Sequence, residues 1–258
     1  MFYKLVEDLK QIPEIEAISL GGSRATGNND DKSDYDIYLY CNAPISENIR
    51  RNILSKYSKY MEIGNSFWEL EDNGTFINGI DYDILYRNLD DFINGIENVV
   101  IKHNSSNGYT TCMWHNLLTC KVVYDKTGRL TNAKNIYNIP YPKELKESII
   151  NRNIRLIHNN LPSYNLQIEK ALNRNDIISI NHRSAAFFES YFDIIFAVNE
   201  LTHPGEKRLV NLCLKTCKVL PNNFSENIKL YFNYLYQDYD KAKEILNEII
   251  NELECILK

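Results

Sequence analysis

The alternation of apolar and polar positions divides the chain into two halves with different periods. In the first half, short runs repeat every second residue, the period of a strand whose successive side chains leave by opposite faces. Ile15 to Leu20 is expected to be one such strand and Tyr35 to Tyr40 a second. Ahead of them, Phe2 to Gln11 sets Leu5, Val6 and Leu9 on one helical face, and Pro13 stops the helix. Ser46 reads as the N-cap of a helix running to about Tyr60. Strand-like runs at 67–71 and 75–86 flank Asp72-Asn73-Gly74, and Asn-Gly between two such runs predicts a hairpin turn. Leu89 to Val100 has helical spacing, with Asn88 or Asp90 at its cap. Asn104 to Gly108 is a polar loop, and Thr111 to Cys120 is helical again, carrying Trp114 and a packed His115. Val122 to Tyr124 is a short strand ended by Asp125-Lys126-Thr127-Gly128.

After Ile139-Pro140-Tyr141-Pro142, which reads as a linker, every apolar period is helical. Helices are expected over 143–160, 163–173, 176–199, 205–218 and 224–257, the last broken near Gln237-Asp238. The expected fold class is therefore α+β. Residues 1–138 would combine the strands with their flanking helices in one domain, and residues 139–258 would form an all-helical domain.

Composition changes this picture only at the margins. With 44% apolar residues the chain can build real cores, and a net charge of −5 argues against a broad electrostatic grip on nucleic acid. The first ten residues carry charges throughout, unlike a secretory signal, and no apolar run reaches the length of a membrane span. The six cysteines form no C-x-x-C pair. Cys213 and Cys217, four apart on an expected helix, read as buried free thiols, and the protein as one of a reducing, cytoplasmic compartment.

Candidate chemistry concentrates between Ile18 and Tyr40. Gly22 and Ser23 close the first strand, and Asp34 and Asp36 open the second. Residues two apart on a strand share a face, so both carboxylates leave on one side, where a divalent cation relieves their repulsion. A glycine turn lets backbone approach a phosphate closely. A second Asp-x-Asp follows at Asp81 and Asp83. Asp83 is followed by apolar Ile84-Leu85 much as Asp36 is by Ile37, while Asp81 remains its competitor. The plainer alternative is a turn, an acidic loop and an acidic edge strand kept soluble by its charges.

Gly22-Ser23, the spacer, and Asp34-Tyr35-Asp36 entering a strand between Ile18, Leu20, Ile37 and Leu39 resemble the signature of the DNA polymerase β-like nucleotidyltransferase superfamily. The resemblance implies a third carboxylate on the neighbouring strand, a place Asp83 fits, and two Mg²⁺ ions about 4 Å apart on Asp34, Asp36 and Asp83. Asp36 would touch both ions, and Asp83 would help deprotonate an acceptor hydroxyl. An NTP, taken as ATP, would lie with its phosphates against Gly22 and Ser23. The resemblance also implies a late strand at the sheet edge. Members that modify small molecules, such as the kanamycin and lincosamide nucleotidyltransferases, add a helical domain. The runs G-Y-T-T-C-M-W-H-N-L-L from Gly108, Y-D-K-T-G-R-L from Tyr124 and A-V-N-E-L-T-H-P-G-E-K-R from Ala197 resemble bacterial proteins of the DUF4037 kind. The expected acceptor is a small molecule such as an aminoglycoside. The alternatives are tRNA or a protein, or a module that binds nucleotide without turnover.

Several residues carry two readings. Arg24 is either a cation for the phosphates or the partner of Asp30 or Asp31. Lys207 and Arg208 either reach the triphosphate or open a solvated helix. In the 176–199 helix His182, Glu189 and Asp193, with Ser190 beside them, lie opposite Ile180, Phe187, Tyr191 and Ile194. That stripe is either solvated surface or the wall that receives the acceptor, with Glu189 or Asp193 holding an amine or hydroxyl.

Overall fold

A computed structural model describes residues 1–27, 30, 33–67, 69–158 and 160–258. The chain forms two compact units, 1–97 with 113–139, and 98–112 with 140–258.

In the first unit the order is α1 (Phe2–Leu9), β1 (Ile15–Leu20), α2 (Gly22–Thr26), β2 (Tyr35–Cys41), α3 (Glu47–Leu54), β3 (Ser58–Asn65), β4 (Glu71–Phe76), β5 (Asp81–Asn88), α4 (Leu89–Val100), α5 (Cys112–Thr119), β6 (Lys121–Asp125) and α6 (Arg129–Ile136). The strands make one sheet in the order β3-β4-β5-β2-β1-β6. β2 and β5 are parallel and every other neighbouring pair is antiparallel. The apolar stripe of α1 (Phe2, Leu5, Val6, Leu9) covers one face of the sheet, against Ile18, Leu20, Ile37, Leu39 and Ile84. Burying this stripe, at about 25 cal/mol per Å² of apolar surface, is what fixes the strand faces. β6 lies on the edge, where the resemblance implied a late strand.

Two sequence expectations fail here for identifiable reasons. The helix capped by Ser46 ends at Leu54 instead of continuing to Tyr60, and 58–65 is a strand. The Ser58 hydroxyl donates back to the Leu54 carbonyl at 2.8 Å as the helix closes. Beyond it the period is two: Tyr60 is exposed, Met61 and Ile63 pack on the core, and Glu62 is exposed. The expected turn at Asn73-Gly74 is also displaced. β4 runs straight through it, and the chain reverses at Asn78-Gly79, where Gly79 has φ +83° and donates to the Phe76 carbonyl at 2.8 Å. Gly74 is needed for another reason. A Cβ there would come within 2.5 Å of the Tyr82 hydroxyl and 2.7 Å of the Tyr60 carbonyl. Of the strand expected at 67–71 only Glu71 is in β4, and Trp68 lies outside the described residues.

β4 also carries a buried charge. Asp72, 0% exposed, pairs with Arg50 of α3, 3% exposed. It accepts further hydrogen bonds from the Gly64 amide at 2.8 Å and the Tyr86 hydroxyl at 2.7 Å, and the guanidinium lies 4.9 Å from the Tyr86 ring centre. The three donors satisfy the Asp72 carboxylate, the condition under which a buried charge is tolerated, while Arg50 Nε is buried without a partner among the described residues.

The second unit contains α7 (Lys143–Ile157), α8 (Tyr164–Asn173), α9 (Ile177–Val198), α10 (Leu209–Thr216), α11 (Phe224–Tyr234) and α12 (Tyr239–Cys255). The break expected near Gln237-Asp238 separates α11 from α12, with the Asp238 side chain capping α12. The core gathers Phe187, Tyr191, Ile194 and Ile195 of α9 with Ile228, Tyr231, Ile245, Ile249 and Leu253. Segment 98–112, which the sequence places in the first domain, belongs to this unit. The Gly108 amide donates to Asn153 Oδ1 at 3.2 Å, and Thr110 and Thr111 bond to Asp193 and to the His203 amide. Polar side chains tie this segment in, so no apolar period announces it. Among the described residues no helix is long and apolar enough to cross a membrane, and the cysteines are free thiols.

Replacing Arg50 with methionine removes the counter-charge of Asp72 while keeping most of the side-chain volume. The expected loss is about 3–5 kcal/mol in urea unfolding, whereas Lys56→Ala at the exposed Lys56–Asp8 pair is expected to leave the unfolding midpoint nearly unchanged.

Candidate active site

Sheet register builds the site. The parallel β2–β5 pairing sets Asp36 opposite Asp83. The antiparallel β4–β5 pairing sets Asn73 opposite Asp83, and β3 sets Glu62 opposite Asn73. One polar row therefore crosses four strands on a single face. Asp34 stands just before β2, and one carboxylate oxygen from each of Asp34, Asp36 and Asp83 lies within 4.8 Å of the others. All three residues are half-buried. Asp81 is exposed, accepts from the Thr75 hydroxyl at 2.7 Å, and is not part of this group.

The end of β1 closes over Asp36. The Gly21 amide donates to the Asp36 carbonyl at 2.7 Å, and the expected glycine turn takes the form of the short helix α2. Gly22 has φ +59°, and a Cβ added to it would collide with the Asp36 carboxylate. Only glycine adopts that backbone freely and leaves the space empty. Arg24 Nε donates to the carbonyls of Ser33 at 2.8 Å and Asp34 at 3.0 Å, a terminal nitrogen also reaches the Ser33 carbonyl, and the guanidinium lies 4.0 Å from the Tyr35 ring centre. Its donors hold the approach to Asp34, a role the sequence did not suggest. Asp30 accepts from the Ser33 hydroxyl at 2.9 Å, and Asp31 lies outside the described residues.

Asn73, expected in a turn, donates through Nδ2 to Asp83 Oδ1 at 2.7 Å. The signal for it was the alternation 71–73–75 running on through Gly74, which the Asn-Gly dipeptide masked.

In the helical unit the expected stripe splits. His182 is exposed and Ser190 is buried. Asp193, 1% exposed, is fully engaged: it accepts from the Thr110 amide at 3.1 Å, the Thr110 hydroxyl at 2.6 Å and Asn153 Nδ2 at 3.2 Å. It pins loop to helix and has no oxygen facing an acceptor. Burial pushes its carboxyl up to about 6, against the opposing pull of the Thr110 and Asn153 donors. Glu189 is half-buried beside Gly108, where a Cβ would come within 2.9 Å of the Glu189 Cβ. Burial, and then the Glu206 carboxylate, raise its pKa. His203, which the sequence did not single out, is buried with Tyr109 and Phe196 ring centres at 4.8 and 4.9 Å. Lys207 and Arg208 are exposed. Arg208 has φ +59° at the N-cap of α10, so that helix begins at Leu209 and not at Gly205.

The donor set at Asp34, Asp36 and Asp83 is three hard carboxylate oxygens without sulfur or imidazole, which suits Mg²⁺ or Mn²⁺. The family model described as polymerase beta, nucleotidyltransferase, matches residues 3–90, which include all three aspartates. Residues 3–90 are a polymerase β-type nucleotidyltransferase domain. A second model, a domain of unknown function (DUF4037), matches residues 109–208, from Tyr109 through Arg208.

Among solved structures, the chain is similar to a nucleotidyltransferase-like protein from Exiguobacterium sibiricum, at 8% identity and a TM-score of 0.44 over 99% of this chain and 72% of that one. It is also similar to an aminoglycoside 6-adenyltransferase from Bacillus subtilis, at 11% identity and a TM-score of 0.31 over 99% and 89%. A third similar structure is a spectinomycin adenyltransferase from Enterococcus faecialis, at 12% identity and a TM-score of 0.26 over 98% and 99%. No curated protein sequence matches the chain. Within residues 3–90, β2 supplies Asp36, β5 supplies Asp83, the residue just before β2 is Asp34, and α2 begins with the Gly22 that closes on them.

Gly22→Ala forces the Asp36 carboxylate from its position. The expected result is a fall in kcat of about 100-fold or more with a loss of only about 1–2 kcal/mol in stability, checked by steady-state kinetics alongside urea unfolding.

Proposed function

We propose that the chain is a divalent-metal-dependent nucleotidyltransferase that moves AMP from ATP to a hydroxyl of a small cationic acceptor such as an aminoglycoside. The observation that carries this is the convergence of Asp34, Asp36 and Asp83 within 4.8 Å beneath Gly22.

In this reading Asp34, Asp36 and Asp83 would together hold two Mg²⁺ ions. Bound there, the ions supply charge neutralisation for the triphosphate and an acidified acceptor hydroxyl. The Gly22 and Ser23 backbone amides approach the phosphate oxygens, as the bare Cα of Gly22 permits. The Asp83 oxygen that Asn73 does not engage takes the hydroxyl proton. The acceptor oxygen attacks the α-phosphorus in line, the bond to the bridging oxygen breaks, and pyrophosphate leaves. Holding the groups in place does most of the work. Lys207, exposed in the helical unit, is the proposed mobile cation for the triphosphate, whereas Arg24 keeps its bracing role.

The helical unit is proposed to select the acceptor. The Glu206 carboxylate adds to burial in raising the pKa of Glu189, and a pair of carboxylates favours an ammonium-bearing molecule over an anionic one. His182, exposed on the same helix, is at most a rim contact. The free thiols suit a reducing cytoplasm.

ATP labelled at the α-phosphate, incubated with Mg²⁺ and either an aminoglycoside panel or total tRNA, tests both levels. Label is expected on an aminoglycoside with equimolar pyrophosphate release. Label on tRNA overturns the acceptor, and tight ATP binding with no transfer to any acceptor overturns the enzyme reading. Asp36→Asn is expected to lower transfer by at least about 1,000-fold while the thermal midpoint stays at or above that of the wild type, since a repelling charge is lost.

A further inference from the structure

We propose that Asn73 is a positioning residue for the transfer reaction, holding Asp83 so that a single carboxylate oxygen faces Asp34 and Asp36. The inference rests on the metal-dependent reading above and concerns how the third carboxylate is kept in place.

The argument starts from proton counting. A carboxylate only accepts, so the 2.7 Å contact between Asn73 and Asp83 Oδ1 requires the amide nitrogen of Asn73 to point at Asp83. The Asn73 carbonyl then points away, and it accepts from Asn65 Nδ2 at 2.6 Å. Asn65 sends a second hydrogen from the same nitrogen to Glu62 Oε2 at 3.2 Å. The other oxygen of Glu62 accepts from the Tyr60 hydroxyl at 2.5 Å. Each amide orientation is thus fixed by the next, from the Glu62 anion on β3 to the Asp83 anion on β5. Register makes the row possible, since Glu62 faces Asn73 and Asn73 faces Asp83.

The row answers a mechanical problem. Asp34 and Asp36 repel Asp83, and its side chain would relieve that repulsion by rotating away across the sheet. An amide donor on the far oxygen anchors the rotamer. Partners of this kind behind a metal ligand typically change metal affinity by 10–100-fold. Aspartate at position 73 would fail, because two acceptors would face each other. Alanine would leave Asp83 free to turn. Gly74 follows for the separate packing reason given above, so Asn73 alone serves the site and the dipeptide marks no turn.

The test is Mn²⁺ binding to the full-length protein, read from the loss of the free-ion electron paramagnetic resonance signal, for the wild type, Asp36→Asn, Asn73→Ala, Asn73→Asp, Asn65→Ala and the Asn65→Ala/Asn73→Ala double variant. Circular dichroism melts establish which variants are folded. Asn73→Ala is expected to weaken Mn²⁺ binding by about 10-fold or more and Asn73→Asp by still more, whereas Asn65→Ala costs about 3-fold. The double variant is expected to match Asn73→Ala, because Asn65 acts only through Asn73. In turnover the loss falls on kcat, with the KM for acceptor within about 2-fold. Wild-type binding in folded Asn73→Ala, alongside lost binding in Asp36→Asn, overturns the proposal and leaves the metal site standing. Additive losses in the double variant also overturn it. Should Asn73→Ala not fold, Asn65→Ala decides alone: unchanged Mn²⁺ affinity overturns the relay. Equal Mn²⁺ binding by the wild type and Asp36→Asn refutes the underlying site reading itself.

Discussion

Three carboxylates with oxygens inside 4.8 Å of one another are a standing source of repulsion, and much of the first unit is arranged to contain it. The backbone takes up part of the load: Gly21 ties the Asp36 carbonyl, and Arg24 ties the carbonyls of Ser33 and Asp34. Asn73 takes up another part at Asp83. A cluster held ready in this way favours any divalent cation that enters it, so the binding energy comes from relief as well as attraction.

The ruler that aligns the cluster is the parallel pairing of β2 with β5 inside an otherwise antiparallel sheet. A slip of one residue in that pairing would turn Asp83 to the apolar face and Tyr82 or Ile84 to the polar one. The aromatic and aliphatic contacts of Tyr82, Ile84, Ile37 and Phe76 therefore protect the chemistry from behind.

Much of this was legible in the sequence. Periodicity found β1, β2, α4 and β6 nearly to the residue, and α4 shows why: it buries the regular stripe Leu89, Phe92, Ile96 and Val100. The two Asp-x-Asp pairs were visible, although choosing Asp83 over Asp81 depended on the neighbouring strand. What was illegible shares one cause: local signals point only to local structure. Ser46 announces a helix but not where it ends, and Asn73-Gly74 imitates a turn that sits at Asn78-Gly79. Asp193 has the look of a cleft residue on a helical wheel, yet its partners Thr110 and Asn153 are far away in sequence. The Arg50–Asp72 pair was missed likewise, since nothing near either residue hints that both are buried.

The division of the chain has a consequence for how the protein is made and handled. Between its two compact bodies the polypeptide passes three times, near 97, 112 and 139. No single cut separates them, and a fragment ending at the linker would carry 98–112 without the helices that satisfy Thr110 and Thr111. During synthesis β1 must wait for Tyr124 to emerge before its outer edge is paired with β6. Until then that edge stands open beside the glycine turn, and the nascent sheet is exposed to mispairing at the strand next to its acidic centre.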